Sequence, residues 1–407
     1  MKAKATPSAL RVLLPVGIGT CLSLMGDASL YAVLPTQTHA AGVTVGVVGI
    51  LLSANRFIRV VLNGPTGVLY KRFSRRRLFV LSLFIGALST AIYALTTGFW
   101  PLLVGRLLWG LSWSGIWIGG NTIVAEVSHE GVRGRWMGLY QGFFFLGAAG
   151  GAAAGGLLTD GIGYHGAMGV AASLTLAGAL LALIGLPEVE RLDYGEPSPV
   201  GCRAPGNPKR QVLSLAPAAA AAFALYGVNR LVVAGILNST LGLLLEGRLG
   251  AQIEIGGQVV GVATLTGAAL GLSTLIAMVS APVMGTLSDR AATRWSVVAG
   301  GLLPGIAGFG LLAGGGPLAI LVGVPLTALA SGSNQCLSTT LTGDLTAAGE
   351  RSKRLGMLFT VGDLASAVGP PLAYALIPVV GLGGGYALGA AAFASMAVAA
   401  LWLALRG

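Results

Sequence analysis

The amino-acid sequence predicts an all-α membrane protein, with about twelve transmembrane helices in two pseudo-symmetric halves of six and both termini in the cytoplasm. Three observations carry that expectation. Apolar runs long enough to cross a bilayer recur from end to end, positive charge collects on one side of those runs, and the second half of the chain repeats the first at a fixed offset.

With 54% hydrophobic and only 10% charged residues, the chain has too little polar surface to cover a water-soluble globule. Twelve apolar runs of about 20 residues lie at 12–35, 43–66, 78–97, 100–125, 137–158, 166–186, 214–240, 257–284, 296–315, 318–342, 355–377 and 383–405. They are continuous rather than alternating, which favours helices over barrel strands, because a lipid-embedded backbone must satisfy its own hydrogen bonds. The 65 glycines suit close helix packing rather than disorder.

A net charge of +11 could point to nucleic acid, but its distribution points to a membrane. If the N-terminus is cytoplasmic, 20 of the 25 Lys and Arg residues fall on that side, including Lys71, Arg72, Arg75, Arg76 and Arg77 after the second span and Arg351, Lys353 and Arg354 after the tenth. The opposite side holds only Arg248. This asymmetry is the positive-inside signature and places both termini in the cytoplasm. Cys21, Cys202 and Cys336 are far apart in sequence, so neither a disulfide framework nor a metal site is indicated, and no cofactor is expected. The N-terminal MKAKATPSALR before an apolar run mimics a leader, but the run reads as the first span, since its removal would break the repeat.

The repeat is specific. Gly67, Leu69 and Arg72 reappear as Gly285, Leu287 and Arg290, an offset of 218 residues. The same offset relates Arg76 to Arg294, Glu126 to Asp344, Gly131 to Gly349, Arg133 to Arg351 and Gly151 to Gly369. Scattered glycines could match by chance in a glycine-rich chain, whereas like charges at four positions in register argue for duplication. The expected organisation is an N-terminal six-helix bundle (1–186), a cytoplasmic linker rich in Pro and charge (187–213) and a C-terminal six-helix bundle (214–407). Parallel six-helix repeats with a site at their interface imply a rocking transporter.

Three motifs make the resemblance specific. The loop after the second span reads G67-V-L69-Y-K-R72-F-S-R75-R76-R77, the fourth span carries R106-L-L-W-G110, and the fifth carries G147-A-A-G-G151-A-A-A-G155-G156. Over its whole length the chain resembles the major facilitator superfamily. The first stretch is similar to the family's G-x-L-x-D-R-x-G-R-R-x signature, with Lys71 at the acidic position, while the second-half copy keeps Asp289. Arg106 and Gly110 resemble the R-x-x-x-G element of proton-driven exporters. The glycine run of Gly147, Gly151, Gly155 and Gly156 resembles the antiporter pattern, with Ala152 in place of proline. The resemblance implies a secondary transporter of the drug:proton antiporter type in the cell's inner membrane. Its partners would be a small-molecule substrate, protons and the bilayer, with no nucleic acid, and it would act as a monomer.

Six ionisable residues fall inside the expected spans: Asp27, Arg56, Arg59, Arg106, Arg230 and Asp363. At a helical rise of about 1.5 Å per residue, Asp27 lies roughly 22 Å deep, with Arg106 and Arg230 near the same level. The family's fold lines the central cavity with the first, fourth and seventh spans, so these three are the candidate coupling and substrate group, with Asp27 and Arg106 as the proton-coupling pair. Burial favours the neutral acid and a neighbouring guanidinium favours the anion, which lets proton binding alternate with substrate binding. Arginine stays charged, leaving Asp27 as the carrier. The plainer reading is a fixed ion pair that fastens helices, but smaller polar groups would do that at less desolvation cost. Asn229, Asn121, Gln141, Asn334, Gln335 and Trp113 are further candidates for the cavity wall.

A second group lies nearer the cytoplasm. Arg56 and Arg59 of the second span and Asp363 of the eleventh would form an inner gate, since the family's fold sets those spans side by side; the alternative is arginines snorkelling toward headgroups. Glu126 beside Arg72 and Arg76, and Asp344 beside Asp289, Arg290 and Arg294, would be conformational latches, one per half. The alternative there is a solvated loop contact of little energetic weight.

Three functions compete: proton-coupled export of amphipathic small molecules, uptake of a small polar or anionic solute by symport or facilitated diffusion, and a membrane-embedded enzyme. Four arginines against two aspartates inside the spans argue against a site built only for organic cations. His39, His129 and His165 lie in or near loops on different sides, and no nucleophile–base or metal spacing emerges, which disfavours the enzyme.

Overall fold

The computed structural model describes residues 9–128, 132–188, 208–347 and 350–406. Most of the expected linker lies outside the described residues, as do Gly131, Gly349, His129 and Cys202. Helices dominate: α1 (Ala9–Val33), α2 (Val45–Arg72), α3 (Arg75–Leu95), α4 (Phe99–Val127), α5 (Arg133–Gly185), α6 (Pro208–Asn229), α7 (Asn238–Leu249), α8 (Val262–Arg290), α9 (Arg294–Gly314), α10 (Pro317–Asp344) and α11 (Arg351–Arg406). A π-helical turn, Arg230–Leu237, joins α6 to α7 in one unbroken run. Among the described residues ten helices are long and apolar enough to cross a membrane. Exposed Leu81, Leu157, Ile184, Leu303, Val379 and Leu405 give their outer faces an apolar surface, the side that hydrocarbon rather than water would meet.

The expected spans 137–158 and 166–186 fall in one element, α5, which turns at a single residue. At Gly163 the backbone leaves helical values, with φ 78° and ψ 170°. The expected spans 355–377 and 383–405 fall likewise in α11, which turns at Gly381 with φ 70° and ψ 175°. A side chain would strain either position, so glycine lets the helix reverse without a loop. The repeat extends to these features: Gly163 and Gly381, the starts of α5 and α11 (Arg133 and Arg351) and the ends of α2 and α8 (Arg72 and Arg290) all keep the offset of 218.

The chain divides into two compact units, one comprising Met1–Leu192 with Asn238–Thr274 and the other Asp193–Leu237 with Leu275–Gly407. In the first unit α1 lies along α5, α3 packs on α4 and α5, and α2 packs on α4. Its core joins Leu13, Val16, Phe79, Leu83, Trp109 and Tyr140. The α1–α5 seam is made of small residues at four-residue spacing: a Cβ on Gly147 would meet Cys21 O at 2.5 Å, one on Gly151 would meet Met25 Cα at 2.5 Å, and one on Gly155 would collide with Ser29. Removing those side chains lets the two backbones touch, and Ser29 Oγ donates to Gly151 O at 2.8 Å. Gly156 turns the other way, onto Ala263 of α8. In the second unit α9 packs on α10 and α11 around Phe309, Tyr386 and Phe393.

A hairpin absent from the sequence reading precedes α8: β1 (Gln252–Ile255) pairs antiparallel with β2 (Gln258–Gly261). Gly256 and Gly257 supply the two positive φ values (59° and 82°) of its turn, the role a two-residue hairpin asks of glycine.

Candidate functional site

The site grows from the way α1 is held. Residues two apart on a helix are separated by about 200°, so a face that gives Met25 and Ser29 to α5 turns Asp27 and Tyr31 away from it. That opposite face meets α4 and α2. On α4, Arg106 and Gly110 are four apart and share a face toward α2. A Cβ on Gly110 would stand 2.5 Å from Asn55 O, so the glycine brings the α4 backbone against α2 and carries Arg106 in with it.

Arg106 is fully buried, and all its bonds are made by these neighbours. Its Nη1 donates to Asp27 Oδ1 at 2.5 Å, its Nε to Leu51 O at 3.0 Å, and its Nη2 to Tyr31 OH at 3.3 Å and Leu52 O at 3.4 Å. Tyr31 OH in turn donates to Leu52 O at 2.6 Å. The tyrosine ring is flanked by two guanidinium groups, Arg106 at 5.3 Å and Arg56 at 4.9 Å from its centroid, within range of a cation–π attraction. Asp27 retains 15% of its side-chain surface. The arrangement is a carboxylate held by one charge-assisted bond but open on one side, beside a guanidinium that would keep its other acceptors if the carboxylate were neutralised.

Tyr31 is the member of this site that sequence reading passed over. Its signal was its place four residues after Asp27, on the same face. The candidate Arg230 begins the π-helical turn of the second unit, and its Nε lacks a hydrogen-bond partner among the described residues. Asn229 is buried and donates from Nδ2 to Ser331 O at 3.2 Å. Asn334 is fully buried, with neither amide atom hydrogen-bonded among the described residues, while Gln335 beside it is exposed. Asn121 bonds back to Trp117 O of its own helix at 2.7 Å, and Gln141 is half-buried.

Trp113 departs from expectation. It is 5% exposed and stacked between Trp109 and Trp117, with centroids 5.9 and 5.8 Å away. The four-residue spacing of the three indoles on one helix face builds a packed ladder in the core, not an open wall. Trp117 and Phe144, 5.2 Å apart, are the partly buried end of that ladder.

Arginines meet the latch carboxylates in both units. In the second unit Arg294 binds both Asp344 (2.7 Å) and Asp289 (2.8 Å), while Arg290 is exposed. In the first unit Glu126 binds Arg75; Arg76 donates to Leu183 O at 2.6 Å, and Arg72 is exposed. Arg75 opens α3, and its side chain therefore reaches the end of α4. Arg56 is 9% exposed and Arg59 partly buried in the first unit; Asp363 is 9% exposed in the second. A carboxylate on α5, Asp160, caps α8 by accepting from Thr264 N at 2.7 Å. His165 bridges the carbonyls of Ala94 (2.9 Å) and Ala40 (3.2 Å).

The sequence profile of the Major Facilitator Superfamily matches residues 16–273, more than half the chain. The chain belongs to that superfamily. Within the superfamily it resembles the drug:proton branch. A tetracycline resistance protein, class G, from Vibrio anguillarum is 34% identical over 196 residues, 47% of this chain and 48% of that protein. A probable 4-methylmuconolactone transporter from Cupriavidus pinatubonensis is 31% identical over 116 residues, 28% of this chain and 27% of that protein. The chain thus matches half the length or less of these curated relatives. Among solved superfamily folds, a bacterial homolog of the human lysosomal transporter Spinster, in an inward-facing and occupied conformation, superposes with a TM-score of 0.74 at 16% identity, covering 99% of this chain and 96% of that one.

Proposed function

We propose that the protein exports amphipathic small molecules in exchange for protons by alternating access, with Asp27 as the proton carrier and Arg106 as its partner. In this reading the chain crosses the inner membrane twelve times, α5 and α11 each contributing two spans that meet at Gly163 and Gly381. Both termini are cytoplasmic, and bundles 1–186 and 214–407 are joined by the linker 187–213. The observation that carries the reading is the Asp27–Arg106 bond. It is an ion pair that joins two membrane-crossing helices inside their length, at a carboxylate that is not sealed.

The proposed cycle uses only the groups in contact. An incoming proton neutralises Asp27 and weakens its bond to Arg106, while the guanidinium keeps Leu51 O, Leu52 O and Tyr31 OH. The α1–α4 contact therefore loosens at one point while the buried guanidinium keeps three neutral hydrogen-bond acceptors, and substrate leaves as the proton enters. Arg230, Asn229, Asn121, Gln141, Asn334 and Gln335 are proposed to meet the substrate. Asp363 with Arg56 or Arg59, and the carboxylates Glu126, Asp289 and Asp344 with their arginines, are proposed to hold the inward-closed state. A relative whose name records tetracycline resistance supports export, since removing a drug from the cell is a route to resistance.

A second reading, uptake of a small polar or anionic solute, is favoured by the excess of arginine over aspartate inside the spans. Proteoliposomes decide between the two. Substrate-dependent proton movement opposite to the substrate flux supports exchange, and movement in the same direction supports symport. A panel of chemically diverse compounds supplies the substrate.

A further inference from the structure

The joint between α2 and α3 differs in charge from its repeat between α8 and α9. Within seven residues the first carries five cations, Lys71, Arg72, Arg75, Arg76 and Arg77. At the same offset the second holds Asp289, Arg290 and Arg294, and its Arg294 is gripped by two carboxylates. Lys71 occupies the place of Asp289, so an internal counter-charge has become a further cation. Of the carboxylates nearby among the described residues, Glu126 binds Arg75 and Glu188 accepts from the Ser74 hydroxyl at 2.9 Å. Arg72 and Arg77 are exposed and make no ion pair among the described residues. Beside them Val68, Leu69 and Phe73 are 50%, 42% and 56% exposed.

Exposed guanidinium groups next to exposed apolar side chains, at the end of a membrane-crossing helix, match the boundary where lipid phosphates meet acyl chains. We infer that this corner of the first unit is a binding site for an anionic phospholipid. Its phosphate lies between Arg72 and Arg77, whose planar donors suit phosphate oxygens, and its chains run along Leu69 and Phe73. Charge complementarity selects the occupant: an uncharged-headgroup lipid leaves the cations unmatched, and a free anion leaves the apolar strip uncovered. The site lies apart from the Asp27–Arg106 pair and does not depend on the direction of transport.

The test is titration of the purified full chain with phosphatidylglycerol or phosphatidylcholine, counting retained lipid by native mass spectrometry. Phosphatidylglycerol is expected to bind more tightly, with an affinity that falls as salt rises. Taking roughly fivefold per basic residue at an anionic surface, Arg72→Gln with Arg77→Gln weakens phosphatidylglycerol by about twenty-fivefold, while Arg290→Gln leaves it unchanged. Lys71→Asp, which restores the carboxylate that the other half possesses, also weakens binding. That variant carries the test should the double variant fail to fold. Equal retention of the two lipids by the unmodified chain would overturn the inference. So would phosphatidylglycerol binding that survives both sets of substitutions, loss of binding on Lys353→Gln with Arg354→Gln instead, or displacement of the lipid by 10 mM inorganic phosphate, on the order of free-anion competition.

Discussion

Removing the Arg106 side chain should expose how much of the α1–α4 contact is an ion pair. Arg106 is fully buried and Asp27 keeps 15% of its side-chain surface. In Arg106→Ala the carbonyls of Leu51 and Leu52 remain inside α2, and Tyr31 still donates to Leu52 O. The group left stranded is therefore Asp27. Breaking a buried pair from one side costs about 3–5 kcal/mol, and partial exposure of Asp27 puts this case near about 3. Asp27→Asn leaves Arg106 three other acceptors and should cost about 1–2 kcal/mol. The double variant has no stranded carboxylate, so it should cost about 2–3 kcal/mol rather than the sum of the two, a coupling of about 2 kcal/mol. Arg106→Lys keeps the charge but not the fork of donors, and should fall between wild type and Arg106→Ala. Equilibrium unfolding in mixed micelles with graded SDS gives the four free energies. Additivity within about 0.5 kcal/mol would refute the claim that the pair acts as a unit.

Three further predictions follow from other contacts. Gly151→Ala places a methyl group 2.5 Å from the Met25 backbone and should destabilise by about 1–3 kcal/mol, whereas Gly150→Ala, with nothing within 4 Å, should be neutral or slightly stabilising; equal effects in the same unfolding assay would dismiss the glycine seam. Asp160→Ala removes the acceptor of Thr264 N and should cost about 0.5–1 kcal/mol, read as faster amide exchange confined to the first turn of α8; unchanged exchange would show that water replaces the cap. Asp363→Asn should increase labelling of cysteines placed on the proposed cytoplasmic cavity and decrease labelling on the outer one, in a background lacking the native cysteines. Unaltered labelling on both sides would remove Asp363 from the gate.

What could be read from the chain alone followed from how costly each residue is in its setting. Asp27 and Arg106 stood out because a charge inside an apolar run is expensive, and counting residues put them at one depth. Tyr31 carried no such mark, since a tyrosine in an apolar helix is ordinary and only its contacts reveal it. The indoles at 109, 113 and 117 had a clear period but an ambiguous meaning, because one stripe can line a cavity or fill a core; packing against α3 and α5 settled it as core. Arg75 and Arg76 are adjacent, so choosing between them for Glu126 required the start of α3, which sequence locates only to within a few residues. The hairpin 252–261 did carry its signal, Gly-Gly between short alternating runs, but was obscured by the long apolar stretches on either side. The turns at Gly163 and Gly381 could not be told from packing glycines until their φ values were known, although their offset of 218 was already present in the sequence.

The central claim is that Asp27 carries the coupled proton. It is tested by reconstituting wild type and Asp27→Asn in proteoliposomes with a pH gradient and a substrate found by the panel screen. Asp27 contacts Arg106 at the side of α1 turned from the glycine seam, so the asparagine variant should fold and still bind substrate. The account predicts that it loses gradient-driven accumulation and substrate-dependent proton flux while retaining gradient-independent substrate exchange. Proton-driven transport at the wild-type rate in Asp27→Asn would contradict it and move the coupling to another carboxylate, Asp363 first.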